Sequence, residues 1–382
     1  MRRLLVGTLL AALAVTGPPA AAEEVVQNTA ESTVESSAPG DVVTARQISA
    51  PGFFYARTWS ITYTSTSATG QPITVSGTVI VPYGADEDTP VVGYAPGTHG
   101  LGDQCAPSRH LEAGDETEGL LIHQYAIRGF AVAVTDYEGL GTPGEHTYIA
   151  GRAEGNATLD VVRAALRLPG TGLSPSTDVA VVGYSQGGHA SGWAAELAPT
   201  YAPELNIAAY AVGAPPAHLR TVAEHNDGGD NVGLVMAAGF GMDVTYPELD
   251  LAPYLNDEGR AAFADIRDDC TADLTKYAGH SMADYTTEDV LARPEWTARV
   301  DEQNLGGGTP EAPVLLYHSN GDEILPVQVS VDLRADWCGD GANVTFWRTH
   351  TGAHFTTAAV MSPAVTDWVA DRLAGRSTGG NC

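Results

Sequence analysis

A hydroxyl attacks a carbonyl only when a nearby base takes its proton and a third group holds that base in place. Ser185, Asp322 and His354 are the residues whose types and spacing meet that need. Ser185 is the centre of Gly183-Tyr184-Ser185-Gln186-Gly187. Before it, residues 178–182 form a short Val-rich apolar run, the pattern of a buried strand. After it, an Ala-rich segment carries apolar residues at helical spacing. Strand, sharp turn and helix make the pentapeptide a nucleophile elbow, which presents the serine oxygen at its tip. Without that context it reads as a Gly-rich turn with an incidental serine.

The order along the chain for such an elbow is serine, acid, histidine. Asp322 follows an apolar run at 312–318 and comes just after Asn320-Gly321, a tight-turn pair. Its neighbour Glu323 is the rival acid, and the alternative role for Asp322 is to cap a helix starting near Pro326. His350 and His354 both follow the last strand pattern. His354, beyond Gly352, is the expected base, whereas His350 lies closer to the strand and reads as structural. His110, His123, His225 and His280 precede Asp322 and read as structural or surface residues. The oxyanion formed on attack needs backbone donors, each typically worth about 10²–10³ in rate. One is the Gln186 amide, at the positive end of a helix. The second is expected from the Gly97-Thr98-His99-Gly100 loop, at the Thr98 amide.

The elements that must position these residues alternate. Residues 57–83 alternate Thr, Ile, Tyr and Val around Gly70-Gln71-Pro72 and predict an antiparallel hairpin at a sheet edge. Buried strands are predicted at 90–95, 130–135, 178–182, 207–212, 312–318 and 344–348. Helices are predicted at 122–127, 156–168, 327–337 and 362–373. This is an α/β class chain with a mainly parallel central sheet and helices on both faces. Between 218 and 308 the strand rhythm stops; the segment is acidic, with helical pieces, and predicts an inserted helical cap. The expected organisation is therefore a core of 51–217 and 309–382 interrupted by a cap at 218–308.

Met1-Arg2-Arg3, an apolar run over 4–15, and Ala20-Ala21-Ala22 read as a secretory signal peptide over 1–22. Polar residues 23–50 read as a flexible leader. The initial run is too short for a membrane span and no later run reaches the roughly 20 residues required. An exported protein with no stable membrane anchor is expected. The formal charge of −28 excludes nucleic acid and anionic membranes as partners. Four cysteines in an exported chain predict two disulfides, and composition alone leaves three pairings open. No His/Cys spacing suits a metal, and no phosphate- or dinucleotide-binding loop is present, so neither metal nor cofactor is expected.

Several of these segments also carry a resemblance. Tyr94-Ala95-Pro96-Gly97-Thr98, Asp136-Tyr137-Glu138-Gly139 with Ala150-Gly151, and the elbow through Gly188 are among them. Gly213-Ala214-Pro215-Pro216, residues 320–326 (NGDEILP) and Gly352-Ala353-His354 complete the set. From about residue 52 to the C-terminus the chain resembles the secretory lipase family of the Candida antarctica lipase A type, in its actinobacterial branch. The resemblance implies an α/β-hydrolase fold and hydrolysis of carboxylic esters, acylglycerols included. It implies Ser185 as nucleophile, Asp322 as acid and His354 as base. A fungal member ties its oxyanion-side loop to its cap by a disulfide, which implies Cys105–Cys270 and leaves Cys338–Cys382. The oxyanion loop departs from the fungal one, being rich in Gly and Thr where that is acidic. A small-molecule or lipid ester substrate is expected, with transient lipid-interface contact through the cap. The alternatives are the same three residues acting on a polyester, an antibiotic ester or a peptide, or a non-catalytic secreted binding protein on a hydrolase scaffold.

Overall fold

The computed structural model describes residues 38–382. The expected signal peptide, and the expected leader up to residue 37, lie outside the described residues. Nine strands form one sheet: β1 (Val42–Ile48), β2 (Ala56–Thr66), β3 (Pro72–Pro82), β4 (Val91–Ala95), β5 (Ala131–Thr135), β6 (Asp178–Tyr184), β7 (Asn206–Gly213), β8 (Val314–Ser319) and β9 (Val344–Thr349). Their order across the sheet is β1-β2-β3-β5-β4-β6-β7-β8-β9. From β5 to β9 every neighbouring pair is parallel, while β1, β2 and β3 add antiparallel pairs.

Two expectations are corrected here. The leader does not run to residue 50 as flexible chain: 42–48 is a strand paired with β2. Its burial is only partial: Val42 and Ala45 pack against the margin of the core, and the ladder to β2 does the rest, so the short run stayed hidden at the end of a polar stretch. The β2–β3 hairpin, paired from Ala56↔Pro82 to Thr66↔Pro72, is consequently not at the sheet edge, because β1 covers it.

The helices are α1 (Pro107–Ala113), α2 (Gly119–Ala126), α3 (Gly151–Arg167), α4 (Gln186–Tyr201), α5 (Leu219–Asn226), α6 (Val232–Thr245), α7 (Asp257–Ile266), α8 (Met282–Tyr285), α9 (Pro294–Asp301), α10 (Val327–Gly339) and α11 (His354–Leu373). β6 shows why its Val-rich run is continuous. Val179 and Val181 pack into the layer containing α3, α4 and α10, whereas Ala180, Val182 and Tyr184 face the layer containing α2 and α11. Both faces are covered, so no polar alternation is required.

α5 to α9 lie between β7 and β8 and gather their own apolar core, including Met236, Met242, Phe263, Trp296 and Val300. This core also takes in Tyr148 and Ile149 from the segment ahead of α3. Disulfides join Cys105 to Cys270 and Cys338 to Cys382. The first ties the loop after β4 to the segment after α7; the second ties α10 to the final residue. Among the described residues no helix is long and apolar enough to cross a membrane, and no cluster of His, Cys, Asp and Glu could hold a metal ion.

Candidate active site

β6 ends at Tyr184 and α4 begins at Gln186, so Ser185 alone makes the turn. It does so at φ 60° and ψ −122°, a conformation that L-residues rarely adopt and that costs on the order of 1–3 kcal/mol. Its N–H is held by Gly213 O at 3.0 Å, which ties the turn to the end of β7. The flanking glycines are required by contact. A Cβ on Gly183 would stand 2.0 Å from Gly187 O, and one on Gly187 would stand 1.9 Å from Ala95 O. Any side chain at either place would push the elbow off the sheet.

Asp322, the expected acid, lies two strands away in the sheet, after β8. Asp322 Oδ1 accepts from the Ile324 and Leu325 amides at 3.0 and 2.8 Å. Its Oδ2 lies 2.7 Å from His354 Nδ1. The alternative of a cap on α10 does not hold, since Asp322 closes its own turn and Pro326 precedes that helix. Burial pushes the Asp322 pKa up, but hydrogen bonds from His318, His354 and the Leu325 amide outweigh it and hold the carboxyl well below its usual range. A carboxylate can only accept, so His354 Nδ1 carries a proton and Nε2 is left as the basic nitrogen.

His354 is the first residue of α11, a helix that starts eight residues before the predicted 362. Polar Thr356 and Thr357 masked its apolar spacing. The rival residues have other partners. Glu323 Oε2 accepts from the His354 backbone N–H at 3.0 Å and so serves the helix terminus, not the imidazole. His350 is exposed and lies beside Asn320.

Ser185 and His354 are linked through Tyr184, whose hydroxyl donates to His354 O at 2.9 Å and whose ring centroid is 4.9 Å from the imidazole. The Ser185 hydroxyl has no hydrogen-bond partner among the described residues. Such bonds are often long before a substrate closes the site.

Gln186 opens α4, so its N–H has no acceptor within the helix. Thr98 follows β4, the strand beside β6, and its N–H has no acceptor among the described residues either. Thr98 is pinned on both sides. Its Oγ1 meets Tyr148 Oη at 2.8 Å, and its carbonyl accepts from Thr271 Oγ1 at 2.6 Å. The next residues pair with the same cap segment: Thr271 N donates to His99 O and Leu101 N to Asp269 O. Beneath, His99 Nε2 is 2.9 Å from Glu116 Oε1. Burial lowers the His99 pKa, but Glu116, Glu118 and the Gly97 carbonyl raise it overall, to about 9. Gly97 N–H donates to Glu118, whose own pKa burial pushes up.

Sequence reasoning missed a buried group behind the elbow. Gln186 Nε2 donates to Glu154 Oε1 at 2.8 Å, which also accepts from Ile149 N–H at 3.0 Å. Glu154 Oε2 meets His189 Nδ1 at 2.9 Å. The available signal was spacing: His189 is one helical turn past Ser185, and Glu154 shares a face of α3 with Ala157, Thr158 and Val161. His318 was also missed. It is fully buried, with Nε2 3.2 Å from Asp322 Oδ2.

Ser185, Gln186 and Thr98 border a cavity of about 590 Å³. Its walls are mostly cap residues, among them Leu234, Val235, Met242, Phe263 and Trp296, with Ile149 and Leu325 from the core. Of the described large apolar side chains that are exposed, none lies on the cap. Leu120 is on α2 and Ile127 follows its last residue, and Phe355 and Val360 are on α11.

An elbow serine, a histidine on a buried carboxylate and an apolar cavity covered by an insertion place the molecule among the α/β-hydrolases. The secretory lipase family model matches residues 111–381, and the chain belongs to that family. It is 30% identical over 371 residues to a secreted triacylglycerol lipase of Malassezia furfur, covering 91% of this chain and 75% of that one. A Mycobacterium tuberculosis protein called "probable inactive lipase" is 31% identical over 334 residues, covering 82% of this chain and 73% of that one. Candida antarctica lipase A in its closed state superposes with a TM-score of 0.81 at 24% identity, over 91% of this chain and 85% of that one.

Proposed function

We propose that this protein is an exported hydrolase of carboxylic esters with hydrophobic acyl groups, working through an acyl-enzyme on Ser185. Ser185 Oγ attacks the ester carbonyl carbon as His354 Nε2 takes its proton. The oxyanion is met by the Gln186 and Thr98 amides. As the intermediate collapses, His354 returns the proton to the departing alcohol oxygen. Water then adds to the acyl carbon, with His354 as base again, and releases the acid and free serine. Asp322 keeps the imidazole in the tautomer both halves need.

One observation carries this reading: a strained serine opens onto an apolar cavity, and the residue before it, Tyr184, holds a histidine whose Nδ1 is fixed by a buried carboxylate. The cavity favours an acyl chain over a peptide segment, because most of its accessible wall is apolar, with polar residues such as Arg220, Asp227 and Glu288 also lining it. The residues of the cap, about 218–308, form that acyl-binding roof. Contact with a lipid interface, expected through the cap, is better supported at α2 and α11. Those two helices pack together, and Phe355 adjoins His354.

The test is turnover of p-nitrophenyl esters from acetate to palmitate by wild type and Ser185→Ala. The variant is expected to fold and to lose activity by about 10⁴-fold or more. Wild type is expected to prefer medium or long chains. Retained activity in the variant contradicts the proposal.

A further inference from the structure

The Asp322 carboxylate is held by more than the proposed mechanism uses. Its Oδ1 takes two backbone N–H groups, and its Oδ2 faces two imidazoles, His354 Nδ1 at 2.7 Å and His318 Nε2 at 3.2 Å. All three side chains are buried. The tautomer of His318 follows from its neighbours. Nε2 also lies 3.0 Å from Leu325 O, and a carbonyl and a carboxylate can only accept, so Nε2 bears a proton. Nδ1 lies 2.8 Å from Ser330 Oγ on α10, and that hydroxyl can donate to it. His318 comes from β8 itself, not from a loop, so its ring is fixed by the sheet.

We propose that His318 is a positioning residue for hydrolysis: its Nε2–H shares Asp322 Oδ2 with His354, and so fixes both the direction of the carboxylate and the negative charge left for the base. This rests on the catalytic reading of Ser185, Asp322 and His354. Four donors fill the sites that one carboxylate offers. An anion shared in this way turns less and attracts a proton on His354 less than a free one would. The depressed Asp322 pKa, to which the His318 hydrogen bond contributes, agrees with that sharing. The other titratable groups around Asp322 are Glu323 beside it, Tyr184 from β6, and His225 from α5, which reaches the Glu323 carbonyl.

The consequence has a sign. Without His318, more unshared charge on Oδ2 favours the imidazolium form of His354, and the base is silenced at a higher pH. The experiment is the pH profile of kcat/KM on a p-nitrophenyl ester for wild type, His318→Leu, His318→Gln and Ser330→Ala, with Ser185→Ala as control. His318→Leu is expected to lower kcat about tenfold, with KM within about twofold, and to move the acid limb up by about half a pH unit or more. His318→Gln, whose amide can donate from a similar place, is expected to recover the limb. Ser330→Ala is expected to move it less, in the same direction. A folded His318→Leu with an unmoved limb, or a Gln variant no better than Leu, overturns the proposal. If His318→Leu does not fold, an unmoved limb in Ser330→Ala overturns it instead. Residual turnover in Ser185→Ala would sink the underlying catalytic reading, whatever His318 does.

Discussion

The strand-end half of the site and the cap half are built by opposite means. At the strand ends nearly every group is fixed by a directional contact: Ser185 N–H on Gly213, the Asp322 carboxylate under four donors, Gln186 tied to Glu154. The cavity roof is chiefly apolar side chains touching one another around a core of their own. Directional contacts fix the atoms that react, and substituting any of them has few acceptable outcomes. Apolar contacts fix a volume, which many residue combinations fill equally well. On the proposed reading, the chemistry is therefore the rigid half, and the choice of acyl chain the adjustable one.

That contrast can be broken from the rigid side first. Asp322→Asn is expected to lower kcat by about 10⁴, because an amide can present its NH₂ to His354 and favour the wrong tautomer. The same variant tests stability. The Asp322 pKa is depressed in the folded protein, so its contribution is present above the unfolded value of about 3.9 and is lost as pH falls through the lower folded value. The difference in unfolding free energy between wild type and Asp322→Asn should therefore shrink as pH drops below about 4, by denaturant titration. A constant difference would count against the depressed carboxyl.

The junction between the halves comes next. Replacing Cys105 and Cys270 by Ala opens a loop with a sequence separation of 165 and is expected to cost about 2–5 kcal/mol. It should also lower kcat more than it raises KM, because the Thr98 loop and the cap segment at Thr271 are paired beside that bond. An unchanged kcat would mean that the loop needs no help from the cap. The smallest effect is expected from the adjustable half. Gly239 borders the cavity, and a Cβ there would meet only Phe263, at 3.9 Å. Gly239→Val should lower kcat/KM for long chains by about 10–100-fold and leave acetate nearly unchanged. Equal losses on all chain lengths would show that α6 does not line the acyl path.

The same contrast explains what could be read from the amino acids. The elbow, the Asp322 turn and the Gly352-Ala353-His354 approach were legible because each demands particular residues at fixed spacing, glycines above all. The buried parallel strands were legible because two covered faces leave an unbroken apolar run. β1 was not, since a half-exposed edge strand gives the core only Val42 and Ala45, too few for a clear pattern. Glu154 was not, because its partners Gln186 and His189 lie on another helix; His318 was not, although it is only four residues before Asp322, because it ends an apolar run that reads as plain strand. The cavity shape was illegible for the reason given above: a volume has no motif.

The central claim is that Ser185 is the nucleophile, and covalent trapping tests it most directly. A fluorophosphonate carrying an alkyl chain, incubated with the protein and mapped by peptide mass spectrometry, should add once, on Ser185, and abolish ester hydrolysis in proportion to labelling. Labelling elsewhere, or full labelling of Ser185 with hydrolysis intact, would contradict it.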